Sequence, residues 1–492
     1  MAENISNTSK AIKGMSSQTL VTIILGVVEI ISFSIMSRLL TQQDFGYYAA
    51  ISAVTMVFAS FSETGIGSAI IQCKVISQRY INNAFTLSFI FGLAIMLLML
   101  ALSPALANIV ADKSMTIPLM LMSITLLCNC LSSVNTSIMY RRLEFLRVGL
   151  INLISLVVTT VIAVVLAIKG LGYYAIISKA ILASLLTLFF SWIMAKTRYG
   201  FSLDKENFKS IFSFSGWLMA SVLFRNLSQQ LDRLLMTRLL SVQILGAYNR
   251  PKDFINQISN KFAGIFDTAL FPVLSQIQDN KKSLKNAYLR SSYLLNLISS
   301  ILALGFVINA ELIIRIFFGK EWFNIVLVFQ ILSIAIIFYF NARLADCYLR
   351  SLGFTKQQFV FRILEVSAKI AGLFLGYHWG MIGIAVAVLI SDAIMVIIKN
   401  IYIAKKIEIK RRDGILSLLK SMQFSIVLLP FLILFKFVLP ESILGEVLVV
   451  SIFLIFMIVC LLAMPECVGK EYKESIYPQV IIVVKKILKT EN

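Results

Sequence analysis

The chain has one histidine and six cysteines among its 492 residues, and only 14% of its residues are charged. A soluble globule needs about a quarter charged residues to cover its surface. A chain that is 59% hydrophobic, with a mean hydropathy of +0.87, is excluded from that class. Cys73, Cys128, Cys130, Cys347, Cys460 and Cys467 sit in or beside apolar runs without metal-ligand spacing. They read as small hydrophobes, not as a disulfide framework or a metal centre. His378, beside Trp379 at a helix end, reads first as an interfacial anchor and second as a proton switch. P-loop, metal-cluster and nucleophile-elbow patterns are all missing, so no catalytic residue, metal or cofactor is assigned and the chain is not expected to be an enzyme. Strands of alternating polarity, the mark of a membrane β-barrel, are missing too.

What is present is a succession of apolar runs, each long enough to cross a hydrocarbon core of about 30 Å as a helix. About fourteen spans are predicted, at 18–39, 46–68, 82–103, 115–138, 147–168, 173–195, 209–240, 245–274, 288–309, 323–348, 359–378, 382–404, 416–438 and 443–464. The seventh and eighth are long and partly polar, so an averaged hydropathy profile tends to miss them. Segment 1–17 is polar and leads into a run too long for the core of a cleavable signal, so the first span is expected to stay.

Basic residues fall unevenly between the loops. With the N-terminus inside, the inner loops and ends hold 29 Lys and Arg against 7 outside. By the positive-inside rule both termini are predicted to be cytoplasmic. The net charge of +20 is then a topology signal beside anionic lipid, and no nucleic-acid partner is expected.

The sequence repeats itself. Arg38–Tyr48, RLLTQQDFGYY, returns as RLLSVQILGAY at Arg238–Tyr248 with a constant offset of 200. YRRLEF at Tyr140 and YLRSLGF at Tyr348 open equivalent inner turns, and KGLGYYAI at Lys169 and WGMIGIAV at Trp379 open equivalent later helices. The prediction is an all-α membrane protein of two six-helix lobes, 18–200 and 205–408, followed by spans within 416–464 and a basic tail, 465–492. Six spans per lobe is an even number, so the repeat is parallel, about an axis along the membrane normal, with substrate expected between the halves.

Charges inside such helices are costly and point to a cavity, although any single one is equally a snorkelling end or a structural ion pair. The seventh span sets Arg225, Gln229 and Asp232 on one face with Arg233 alongside. The eighth opens with Arg250, Pro251 and Lys252, then carries a stripe of Asp253, Gln257, Asn260, Gly264 and Asp267, with Lys261 adjoining. In the tenth, Arg343, Asp346 and Arg350 are in register. The eleventh has Arg362 and an i, i+4 pair of Glu365 with Lys369, and the twelfth holds Asp392 and Lys399 one heptad apart. The first lobe carries only Glu29, Glu63 and Lys179. A cationic second lobe suits a phosphate-bearing or acidic solute, because the arginine fork matches phosphate. Candidate binding residues are therefore Arg225, Asp232, Arg233, Arg250, Lys252 and Lys261. Glu29, Glu63 and Asp392, the carboxylates with the fewest evident basic partners, are candidates for coupling to H+ or Na+. The GIG of Gly65–Gly67 and Pro272 mark places where helices break, bend or simply pack.

Seven segments together resemble a known family: SRLLTQQDFGYYA at Ser37, ETGIGSAIIQCK at Glu63, MYRRLEF at Met139, KGLGYYAI at Lys169, LDRLLMTRLLSVQILGAYNR at Leu231, LFPVLSQIQDN at Leu270 and ELIIRIFFGKEW at Glu311. The chain resembles the polysaccharide-exporter branch of the multidrug/oligosaccharidyl-lipid/polysaccharide superfamily, in particular bacterial Wzx-type flippases of the colanic-acid-exporter kind. The resemblance implies two six-helix lobes in a V, two trailing helices and a place in the bacterial inner membrane. It further implies alternating access that carries an undecaprenyl-pyrophosphate-linked oligosaccharide from the cytoplasmic to the periplasmic leaflet. A polysaccharide polymerase and glycosyltransferases are the implied partners. Arg225, Arg233 and Arg250 are the positions that match pyrophosphate-binding basic residues of relatives. Glu29 stands where several relatives have a basic residue in the first span. A cation-coupled drug or metabolite antiporter of the same superfamily, and a non-transporting subunit of a polysaccharide synthase complex, are the competing readings.

Overall fold

The computed structural model describes residues 2–62, 66–73, 76–110, 113–202, 226–227, 230, 232–409, 473 and 477–478. Glu63, Arg225, most of the span predicted at 209–240, the spans at 416–438 and 443–464, and nearly all of the basic tail lie outside the described residues. Among the described residues there is no strand. The helices are α1 (Ala2–Leu39), α2 (Gln42–Ser62), α3 (Ile66–Gln72), α4 (Gln78–Val110), α5 (Thr116–Arg141), α6 (Phe145–Ile168) and α7 (Tyr173–Ala195). A helical stretch over 232–239 precedes α8 (Val242–Gln276), α9 (Lys281–Ile308), α10 (Ala310–Phe317), α11 (Val326–Ser351), α12 (Thr355–Gly376) and α13 (Gly380–Lys406).

Eight helical stretches among the described residues are long and apolar enough to cross a membrane. Neither α2 nor its repeat partner α8 is among them. For α8 the polar stripe foreseen in the sequence is the reason. The stretches that qualify carry a lipid-type surface. The exposed apolar residues include Ile154, Val157, Val158, Val161, Val165 and Ile168 on α6, and Ile390, Ile394, Ile397, Ile398 and Ile401 on α13. Each set recurs at three- and four-residue spacing, which gives one apolar stripe on the outside of the bundle. Gly65 of the GIG segment lies outside the described residues. α8 runs on through Pro272 to Gln276.

The chain divides into two compact units, Met1–Asn249 and Arg250–Asn492, with the boundary inside α8. In the first, α1 lies on α6, α6 on α7, α7 on α5, and α5 on α4. Thr41 and Asp44 start α2 by mutual capping: Thr41 Oγ1 accepts from the Asp44 amide at 3.2 Å, and Asp44 Oδ2 accepts from the Thr41 amide at 3.0 Å. Asp44 Oδ1 also accepts from the Tyr173 amide at 2.9 Å, so one carboxylate holds the starts of α2 and α7 together. Gly172 has φ +55, and a Cβ there would stand 2.6 Å from Asp44 Oδ1. At the other end of the bundle, Arg141 donates to the carbonyls of Ile70 at 3.0 Å and Ile71 at 3.2 Å, and Arg142 to that of Ala195 at 2.6 Å. Two bases of the topology signal thus also close the C-termini of α3 and α7, where carbonyls lack helical partners.

The repeat is visible in how the helices end. At the close of α5 the Leu143 and Glu144 amides donate to the Tyr140 and Met139 carbonyls, and at the close of α11 the Gly353 and Phe354 amides donate to those of Arg350 and Leu349. Both are left-handed C-caps of one type, with φ +59 at Leu143 and +75 at Gly353. A side chain in that region costs about 1–2 kcal/mol, and Leu143 is exposed. Leu143→Gly should therefore raise the unfolding free energy by about 1 kcal/mol. Thermal unfolding of the purified protein in detergent checks this, and an unchanged or lower midpoint would contradict it.

In the second unit α9 packs on α11, α11 on α13, and α13 on α12. Asn280 caps α9 by accepting from the Ser283 amide at 3.0 Å. Phe254 of α8 packs into an aromatic cluster with Phe306, Phe317, Phe318 and Phe329. Trp322 sits on Phe318, so the FFGKEW segment is used for packing. His378 packs against Tyr377 with the rings tilted by 37° in the short turn between α12 and α13, next to the exposed Trp379.

Candidate functional site

Three groups involve the charged side chains of α11, α12 and α13 among the described residues of the second unit. The most buried is a closed ring of four charges. Lys399 of α13, 1% exposed, reaches Asp346 Oδ1 of α11 at 2.8 Å and Glu365 Oε1 of α12 at 2.5 Å. Arg362 completes the ring, with Asp346 Oδ2 and Glu365 Oε2 each at 3.0 Å. Each carboxylate gives one oxygen to each cation, so the ring is neutral and its main acceptors are satisfied. An unpaired charge in an apolar bundle costs several kcal/mol, and this arrangement avoids that cost while tying three helices.

The second group is the pair Lys369–Asp392 at 3.1 Å, between α12 and α13. It corrects one expectation from the sequence, because Asp392 does have a basic partner. Glu365 is held by Lys399 across helices and by Arg362 one turn back on its own helix. The third group joins α8 to α11. Arg343 donates to Asn260 Oδ1 at 3.0 Å and to the Tyr339 hydroxyl at 2.8 Å, and the Tyr339 hydroxyl donates to the same Asn260 oxygen. The three α11 residues expected in one register are therefore split: Asp346 faces α12 and α13, while Arg343 faces α8.

Of the remaining candidates, Asp232 is buried and accepts from the Arg233 amide at 2.9 Å, and Arg233 is half-buried. Both belong to the first unit. Arg250 and Lys252 are half-buried and Lys261 exposed on α8 in the second. Glu29 is half-buried on α1. One turn further along α1, Ser32 accepts from Lys179 of α7 and from Thr160 of α6 at 3.1 Å, which sets an ammonium group close to the Glu29 level. No group of three or more potential metal ligands occurs among the described residues.

A family model described as polysaccharide biosynthesis protein matches residues 35–327. The chain belongs to this family. Among the curated relatives of this polysaccharide biosynthesis protein are the lipopolysaccharide biosynthesis protein WzxC of Escherichia coli (strain K12) and the teichuronic acid biosynthesis protein TuaB of Bacillus subtilis (strain 168). WzxC is 22% identical over 66% of this chain and 66% of its own length. TuaB is 22% identical over 66% of this chain and 68% of its own. The matched region thus spans about two thirds of these relatives. Among solved structures, the lipid II flippase MurJ in an inward closed conformation aligns with TM-score 0.69 at 16% identity, covering 90% of this chain and 98% of that one. An inward-facing multidrug resistance MATE family transporter of the MOP superfamily aligns with TM-score 0.63 at 13% identity, covering 80% and 98%. The chain shares the fold of these two structures; it is a multi-pass membrane protein, all-α among the described residues. The ring Asp346–Arg362–Glu365–Lys399 and the Asn260–Tyr339–Arg343 group were not singled out as sites in the sequence. The signal was four charges in three predicted spans, and their pairing needed the helix faces.

Proposed function

We propose that this chain flips an undecaprenyl-pyrophosphate-linked oligosaccharide from the cytoplasmic to the periplasmic leaflet by alternating access, for surface polysaccharide assembly. The observation that carries the reading is the coincidence of two matches in one chain: a polysaccharide biosynthesis family model over 35–327 and the fold of a lipid flippase over 98% of that protein's length. The reading places the chain in the bacterial inner membrane with both termini cytoplasmic, in accord with 29 basic residues against 7. Arg225, Arg233, Arg250, Lys252 and Lys261 supply positive charge for the pyrophosphate, and Asp232 belongs to the same proposed binding set. Coupling to H+ or Na+ falls to Glu29 and Glu63, and Asp392 joins them only when its pair with Lys369 opens. A polymerase and glycosyltransferases are the partners that the reading requires.

The test is reconstitution into vesicles with a fluorescent undecaprenyl-pyrophosphate-linked sugar, scored by a membrane-impermeant quencher. The reading expects lipid-linked sugar to cross only in vesicles that hold the protein. It also expects Arg250→Ala to lower the rate at least about tenfold, the effect of one charge-assisted phosphate contact, with normal amounts of protein. The fold is shared with multidrug transporters, which makes a cation-coupled drug or metabolite antiporter the second reading. Drug efflux with no lipid movement would establish that one. Absence of both, with polysaccharide synthesis still dependent on the gene, would point to a non-transporting subunit of a synthase complex.

A further inference from the structure

The sequence Gly-Tyr-Tyr-Ala occurs twice in the first lobe, at Gly46–Ala49 and at Gly172–Ala175. One copy lies near the start of α2 and the other opens α7. Asp44 joins the two starts by accepting from the Tyr173 amide at 2.9 Å. Three of the four tyrosines come together there. Tyr173 is the middle ring: its centroid is 4.9 Å from that of Tyr47, with the planes 33° apart, and 4.6 Å from that of Tyr174, with the planes 26° apart. All three are half-buried. Successive side chains on a helix point about 100° apart and do not face each other. Tyr173 is the first residue of α7, directly after Gly172 with φ +55, and there the two rings stack.

The repeat shows that the scaffold does not require these rings. By the offset of 200, Tyr47 corresponds to Ala247. Gly172 and Gly380 are equivalent, each with positive φ at the start of a later helix. Met381 and Ile382 follow Gly380 where Tyr173 and Tyr174 follow Gly172. The same helix starts thus form in the second lobe with no aromatic residue at these three positions. An interfacial anchor is a single aromatic side chain at a helix end, as at the exposed Trp379; three rings gathered from two helices are a different arrangement. The face of an aromatic ring is negative and its edge positive. It therefore repels a phosphate and attracts the weakly positive C–H bonds on the flat side of a pyranose. Gln43, exposed and one turn before Tyr47 on the same face of α2, has an amide for the sugar hydroxyls. The loop charges assign this end to the periplasm, and it adjoins the close approach of Gly46 to the Val242 carbonyl.

We propose that Tyr47, Tyr173 and Tyr174 form a carbohydrate platform at the outer end of the first lobe, on which pyranose rings of the translocated oligosaccharide rest as they leave the protein. This rests on the proposed function and adds three sugar-binding residues to it. The pyranose face is shared by a lipid-linked oligosaccharide and by free saccharides, and the test separates them.

The test uses the full-length protein in phosphatidylethanolamine nanodiscs and saturation-transfer NMR. The probes are methyl β-D-glucopyranoside, whose ring has C–H faces, and mannitol, which has the hydroxyls but no ring. Saturation should reach the ring C–H protons of the glucoside and leave mannitol untouched. Tyr47→Ala and Tyr174→Ala should each weaken glucoside binding about threefold, and together about tenfold, the loss of two ring contacts. The double phenylalanine variant keeps both rings and should retain at least about half of the binding, with unchanged thermal unfolding. In the vesicle assay, the double alanine variant should move the fluorescent undecaprenyl-pyrophosphate-linked sugar about tenfold more slowly than the wild type. Equal loss in the phenylalanine and alanine variants would mean that the ring faces do not bind, and would overturn the platform. Glucoside binding lost in the alanine variant with transport unchanged would also overturn it, leaving a site for free saccharides only. Normal binding and normal transport in the double alanine variant would overturn the platform and leave the flippase reading standing. A wild type that moves no lipid-linked sugar would remove the flippase reading, and the platform would then stand or fall by the glucoside binding alone.

Discussion

Lys399→Met should be among the most destabilising single substitutions in the second unit, lowering the unfolding free energy by about 3–5 kcal/mol, the range for removing one partner of a buried ion pair. Lys399 is 1% exposed and neutralises one oxygen of each of two carboxylates, Asp346 and Glu365, which are 15% and 12% exposed. Without it, Arg362 is left to hold both, and the ring carries a net negative charge inside an apolar bundle. Methionine matches the lysine stem in volume, so the loss reports charge more than packing. The double substitution Lys399→Met with Glu365→Gln leaves the neutral pair Asp346–Arg362 at 3.0 Å. It should recover at least about half of the lost stability, giving a coupling energy within the 0.5–3 kcal/mol seen for residues in contact. Thermal unfolding of the four proteins of this cycle in one detergent decides the matter. A Lys399→Met protein as stable as the wild type, or a double variant no better than the single one, would mean that the ring is not a unit.

That ring also shows where the sequence stops being legible. The helices and the parallel repeat could be read directly, because apolar runs and the constant offset from Arg38 to Arg238 are properties of the chain alone. The polar stripe of α8 could be read for the same reason, down to Asn260. Pairings between helices could not. Arg343, Asp346 and Arg350 look like one stripe, yet Asp346 lies about 60° round the helix from Arg343 at 3.6 residues per turn. That rotation is enough to send it to Lys399 on α13 while Arg343 goes to Asn260 on α8. Glu365 and Lys369 have the spacing of a favourable i, i+4 pair, but such a pair is worth only about 0.2–0.5 kcal/mol. A buried ammonium from another helix, Lys399, reaches Glu365, and Lys369 reaches Asp392 on that same helix. Local spacing ranks partners only until a third helix brings a stronger one.

Under the proposed function, valine at Gly46 or at Gly246 should lower the transport rate at least about tenfold while leaving an inserted protein. The two glycines are repeat partners, 200 residues apart, and they meet in a reciprocal contact. A Cβ on Gly46 would stand 1.8 Å from the Val242 carbonyl oxygen, and a Cβ on Gly246 1.8 Å from that of Gln42, with Gly46 N at 2.6 Å. Residues 42 and 242 are partners by the same offset, so the starts of α2 and α8 cross about a local two-fold axis, each presenting to the other what it receives. A carbon approaches a carbonyl oxygen no closer than about 3.3 Å even in a favourable C–H···O contact. Any side chain must therefore push the helix starts apart by well over an ångström, because backbone lies on both sides and no rotamer relieves it. Overpacking of this kind costs about 1–3 kcal/mol, which a large membrane bundle survives. The cycle does not survive it if this crossing must close in one state of the transporter. Because the contact is symmetric, the two single variants should lose transport to the same degree, unlike two unrelated packing defects. Gly305, with nothing within 4 Å of its Cβ position, provides the control. Gly305→Ala lies inside α9 and should leave transport intact and gain up to about 1 kcal/mol from helix propensity. Vesicle transport rates for the three variants test this: normal rates in Gly46→Val and Gly246→Val would show that the helix starts need not touch at any stage. Loss in one alone would deny the crossing its symmetry.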